Sequence, residues 1–264
     1  MKLAISNIAW EKHDDPIILK KLKSYDVEGI EVAPTKIWAN WDGATPHNAE
    51  AYRKQMANEG FVIPAMQAIL FGRHDLQIFE PECHTFFLEH IKFVADLSAG
   101  LGAKVLVLGA PKNRRRGQIA MSQAVEIARE FLYQAGEICS SRGCCIGLEH
   151  NPVEYGCDFI TNVADARELV DLVNHKGVQL HLDSAGIHMC GGEITEIIKN
   201  AGPFAHYHIS EPMLEPIQNC DVDHANAFNA LKEINYAGWV SIEMKQPPKF
   251  AKVERSLAII NKLL

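Results

Sequence analysis

The chain has 264 residues, 47% of them apolar and 22% charged, with 33 acidic against 26 basic side chains and a formal net charge of −7. That supply of apolar residues is enough for one large core of the size usual for a single α/β barrel. The acidic balance argues against nucleic acid as a partner, no stretch nears the roughly 18 apolar residues of a membrane span, and MKLAISNIAW lacks the core and cleavage site of a signal peptide.

Short β-rich runs alternate with helical periodicity along the chain. The first strand is predicted over Lys2–Ser6 and the first helix over 15–25, where Asp14-Asp15-Pro16 offers a cap and a proline for the first turn. The second strand, Gly29–Val32, precedes a helix over 46–59 that Gly60 can close in a left-handed conformation. Strands at Val62–Gln67 and Lys104–Gly109 lead to helices over 81–101 and 118–141. The last four strands are Cys145–Glu149, Val178–Asp183, Ala205–Ser210 and Trp239–Glu243, with helices over 163–175, 192–201, 223–236 and 249–263; Asn235-Tyr236-Ala237-Gly238 ends the third of these.

Eight such units predict one domain over residues 1–264, an α/β fold of the (β/α)8 TIM-barrel type. The longest loops are expected after strands two, four, five and seven, on the rim that carries active sites in such barrels. An open doubly wound sheet fits the same alternation less well, because no GxGxxG follows the first strand. Seven cysteines without a disulfide spacing or a CxxC motif read as reduced thiols of a cytoplasmic protein.

Glu149, Asp183, His208 and Glu243 each end one of the last four strands. Strand side chains alternate between faces, so each shares the smaller or more polar face of its run, while Ile146, Leu148, Leu180, Leu182, Tyr207, Ile209, Val240 and Ile242 take the other. Parallel strands bring these ends to one rim, where three carboxylates repel one another unless a cation or a proton joins them. One divalent metal ion satisfies the set. With one imidazole, three carboxylates and no thiolate, manganese is the first choice, with magnesium, cobalt and zinc as alternatives. Taken singly, each residue has a plainer reading as a helix cap or ion-pair partner.

Around this centre, His181 and His206 lie one pleat deeper and are expected to orient the ligands. Substrate contacts are expected from His188, Glu154, Gln67 and Lys245 by rim position, and from Lys112 and Arg114 in the basic loop 110–117, which suits a phosphate or carboxylate group. The plain alternative for that loop is a solvated basic turn. Trp10 and Trp38 are candidates for a sugar-facing wall or for ordinary packing.

The stretches GIEVAPTKIW (29–38), IGLEHNPVEYGCDFITN (146–162), LDSAGIH (182–188), HYHISEP (206–212) and GWVSIEMK (238–245) resemble the xylose isomerase-like barrels. That superfamily includes ketose 3-epimerases, hydroxypyruvate isomerase, inosose dehydratase and endonuclease IV nucleases. The resemblance implies that Glu149, Asp183, His208 and Glu243 bind the ion, commonly manganese, and that Glu149 and Glu243 exchange protons with opposite faces of an enediolate. Two positions depart from the ketose epimerases: Gly186 stands where they carry a substrate-contacting His, and Leu214 where they carry an Arg. Substrate identity therefore does not transfer.

The resulting expectation is a divalent-metal-dependent isomerase or epimerase of a small carbohydrate: a keto sugar, sugar phosphate or sugar acid. An inosose-type dehydratase shares the proton abstraction and is the nearest rival. A nuclease needs more ligands and more positive charge, and a non-catalytic metal or sugar binder would not call for two acid/base carboxylates. Self-association into a homo-oligomer is compatible with the sequence, which locates no interface.

Overall fold

The computed structural model describes residues 1–264. Its strands are β1 (Lys2–Ser6), β2 (Gly29–Glu31), β3 (Ala65–Met66), β4 (Val105–Leu108), β5 (Cys145–Glu149), β6 (Val178–Asp183), β7 (Phe204–Ser210) and β8 (Trp239–Glu243). All pair in parallel in the order β2-β1-β8-β7-β6-β5-β4-β3, and isolated bridges Gly29↔Val62 and Val32↔Met66 join the two ends. The ring is thus a (β/α)8 barrel.

The helices are α1 (Asp15–Leu22), α2 (Pro34–Ile37), α3 (Pro46–Asn58), α4 (His84–Leu101), α5 (Met121–Ser140), α6 (Val163–Val173), α7 (Ser184–Met189), α8 (Ile194–Asn200), α9 (His224–Glu233) and α10 (Ala251–Asn261). Apolar residues at helical spacing face the sheet, as with Phe87, Ile91, Val94 and Ala95 of α4, which are fully buried. The outward aliphatic residues of β5–β8 join the same core, and Ala65, Val105, Val107 and Cys145 of β3–β5 form a separate small buried group.

Several local expectations are corrected. β3 is two residues rather than the expected Val62–Gln67, because Pro64 has no N–H for the ladder. Backbone bonds from Ile30 to Val62 and from Val32 to Ala65 nevertheless hold β2 against this segment. The 67–80 segment after β3 is as long as the loops expected to be longest. Two short helices, α2 and α7, arise inside predicted loops. Asp14 makes no capping bond: it ends a preceding helical turn, Lys12–Asp14, with helical backbone angles (φ −88°, ψ −6°) instead of the extended ones of a cap. At the end of α9 the left-handed residue is Asn235 (φ +55°), whereas Gly60 takes φ +83° as expected.

Candidate metal centre and active site

Parallel pairing sets the stagger of the strand ends. Asp183 lies beside His208 and Ser210 beside Glu243 in the ladder, while Glu149 pairs with His181. Ligand atoms of Glu149, Asp183, His208 and Glu243 consequently lie within 4.8 Å of one another. The structure brings these four together at the C-terminal mouth of the barrel.

Each is held by its own surroundings. Asp183 caps α7: its Oδ1 accepts from Gly186 N at 2.6 Å, and its Oδ2 accepts from the hydroxyl of Ser210. The plain reading as a helix cap is therefore also true of Asp183, and a carboxylate has lone pairs for both duties. Glu149 Oε2 accepts from Asn151 Nδ2 at 3.1 Å. A Cβ at position 109 would come within 2.1 Å of the same oxygen, so Gly109 leaves the Glu149 carboxylate the room it occupies.

The site also contains a residue that the strand-end reading passed over. Glu31, at the end of β2, is fully buried and accepts from Gln67 Nε2 at 3.0 Å, His206 Nε2 at 2.6 Å and His208 Nε2 at 2.9 Å. In the sequence it stands inside the predicted strand Gly29–Val32, one position before its end, as the one carboxylate among apolar neighbours. With Nε2 engaged by Glu31, His208 presents Nδ1, which has no hydrogen-bond partner, 3.3 Å from Glu243 Oε2 and 3.6 Å from Glu149 Oε1.

The electrostatics match this geometry. Burial opposes charge on Glu31, but His208 and His206 hold its carboxyl well below the usual range. Burial likewise opposes ionisation of Glu149, which the adjacent His181 and His208 hold low. Burial would lower His208, yet Glu31, Glu243 and Glu149 raise it well above an ordinary histidine. Asp183 is pushed up to about 7 by burial and by the charges of Glu149 and Glu243. His181 falls to about 3 through burial and the neighbouring His208, so it faces Glu149 as a neutral ring at 3.4 Å. Excess negative charge at the mouth is thus relieved by protons on His208 and Asp183.

Those residues fit a hard divalent cation. Three carboxylates supply oxygen, and an imidazole fixed through its far nitrogen by a carboxylate supplies one lone pair, the usual support for a metal-ligating histidine. The unpartnered Nδ1 among carboxylate oxygens is the observation that decides the fit.

The sequence matches the family described as xylose isomerase-like TIM barrel over residues 19–263. The chain belongs to that family. No curated protein matches it significantly in sequence. Among solved structures, this xylose isomerase-like barrel is similar to D-psicose 3-epimerase from Clostridium cellulolyticum H10, with TM-score 0.80, 14% identity, and 99% and 98% of the two chains covered. It is also similar to 3-keto-D-glucoside 4-epimerase from E. coli, with TM-score 0.78, 17% identity and both chains fully covered. A third is the IolI protein with a bound zinc atom, with TM-score 0.74, 20% identity, and 100% and 96% covered. At these identities the likeness is one of fold.

The remaining expected site residues are distributed around the family barrel as follows. Gln67 lines the cavity above Glu149 and Glu243, and its amide also donates to Ser6 Oγ at 2.8 Å. Lys112 stands exposed at the same cavity. Arg114 instead lies fully buried beside Cys157, outside the cavity lining. Neither His188 nor Glu154, both exposed, is among the lining residues, and exposed Lys245 pairs with Glu215. Trp10 and Trp38 are buried in the core, where Trp38 packs edge-on against Tyr52. No helix is long and apolar enough to cross a membrane.

Proposed function

We propose that this chain is a divalent-metal-dependent isomerase or epimerase of a small carbohydrate, one catalytic domain acting through an enediolate. The observation that carries the reading is the arrangement of Glu149 and Glu243 on either side of His208 Nδ1, at the floor of a cavity. The structural neighbours named above, two of them sugar epimerases, support it.

Glu149, Asp183, His208 and Glu243 would hold the ion, manganese by the oxygen-rich donor set, with magnesium, cobalt or zinc as the other candidates. When bound, the ion supplies Lewis acidity toward the oxygens of a keto sugar. Glu149 and Glu243 come from β5 and β8, across the mouth from each other, so one carboxylate removes the proton beside the carbonyl and the other returns one. Return to the same carbon from the opposite face gives an epimer; return to the neighbouring carbon gives an isomer. Gln67 and Lys112 line the cavity and hold hydroxyl or anionic groups of the substrate.

The test is uptake of deuterium from solvent by a panel of keto sugars, their phosphates and their acids, followed by mass spectrometry. Metal-dependent exchange should fall by at least about a hundredfold in Glu149→Gln and Glu243→Gln. Exchange that survives chelation, or survives both substitutions, would remove the reading.

A further inference from the structure

The cavity over Glu149 and Glu243 encloses about 490 Å³ and is lined by Val107 of β4 and by Ile69, Leu70, Phe71, Ala110 and Pro111 of the segments after β3 and β4. The same segments also bring His74, Lys112 and Asn113 to the lining, of which Asn113 spends its amide on Arg73 O and Leu76 O, and Gln67, Glu149 and Glu243 complete it. A polyol carries a hydroxyl on nearly every carbon, and each hydroxyl laid against the apolar side chains, away from His74 and Lys112, would lose water without gaining a partner. Hydrocarbon or aromatic surface suffers no such loss and gains from burial.

That side is firmly built. Trp41 Nε1 donates to Phe71 O at 3.1 Å, His90 Nε2 to Ile69 O at 2.7 Å, and Asn113 Nδ2 to both Arg73 O and Leu76 O at 2.7 Å. Ala68 turns the chain with φ +52°, a conformation that costs a residue with a Cβ. Three donor side chains therefore fix the backbone of this segment, and residues 69–71 line the cavity. Phe71, at its lip, remains 66% exposed. An aromatic ring left in water at the entrance of a cavity is the kind of surface that a ligand covers. The volume agrees, since cavities of about 300–1,000 Å³ hold ligands larger than a bare monosaccharide.

We propose that the substrate is a keto sugar bearing an apolar substituent of about the size of an aromatic ring, seated against Ile69–Phe71 and Ala110–Pro111. The sugar end of this assignment rests on the isomerase reading above; the substituent end rests on the wall alone.

Paired phenyl and methyl ethers of the keto sugars in the exchange panel, carried on a hydroxyl remote from the carbonyl so that the carbonyl stays free, separate the two. Their binding to the manganese-loaded full chain is measured by calorimetry, independently of turnover. The phenyl member should bind at least about tenfold more tightly, and Phe71→Ala should bring the phenyl-to-methyl ratio close to one. Equal affinity across the pairs, no binding of any pair, or a preference untouched by Phe71→Ala and Ala110→Asp would overturn the proposal. A phenyl preference without deuterium exchange would sink the isomerase reading and leave the wall; exchange without the preference would do the reverse. If Phe71→Ala instead lowers the molecular mass in light scattering and leaves affinities unchanged, the wall is a contact between copies and the proposal fails.

Discussion

At the scale of single residues, the centre depends on groups that do not themselves face the ion site. Glu31 receives bonds from three side chains and sets which nitrogen His208 presents. His208→Ala should therefore abolish divalent-metal binding, while Glu31→Gln should weaken it about 10–100-fold, measured by competition with a chromophoric chelator. Unchanged affinity in Glu31→Gln would mean that His208 is oriented by packing alone. Arg114 makes the opposite case: a fully buried guanidinium is a cost to the fold, and burial lowers its pKa more than the neighbouring Cys157 and Glu149 raise it. Arg114→Met, which exchanges a buried cation for an apolar side chain of similar length, should raise the unfolding midpoint in calorimetry. A lower midpoint would show that this cation is satisfied within the folded protein. The four strand-end residues were legible in the sequence because each closes its own alternating run. Glu31 was harder to place: its histidine partners lie 175 and 177 positions away, and only barrel closure joins them.

At the scale of elements, alternation and turn chemistry foretold all eight strands, but not where hydrogen bonding would stop. Pro64 shortens β3, and nothing in the apolar character of Val62 and Ile63 announces it. α7 was hidden because its start is stabilised by Asp183, a residue already assigned another duty. The segment after β3 yields a pH prediction. Burial lowers the pKa of His90, whose neutral ring donates to Ile69 O and accepts from Arg73. The unfolded chain takes up the proton first as pH falls below about 6.5, so this contribution is complete above that value and is lost toward the lower folded one. Amides of residues 69–73 should exchange faster at pH 5.5 than the intrinsic pH effect allows, and His90→Gln should remove the difference. Identical protection in both proteins would rule out His90 as the anchor.

For the molecule as a whole, apolar patterning and strand count led to the barrel, and the charge balance only narrowed its partners. A cation that binds the folded mouth and not the unfolded chain must stabilise the barrel: at 100 times its dissociation constant the gain is about 2.7 kcal/mol. Manganese titration should raise the unfolding midpoint, chelator should reverse the rise, and His208→Ala should show neither. The four-residue cluster belongs to β5–β8, whereas the apolar wall comes from the segments after β3 and β4. Heredity can therefore edit the two separately. Variation within residues 68–79 and 110–113 recuts the pocket without touching the carboxylates, so a lineage built on this chain can change its diet while its chemistry stands still.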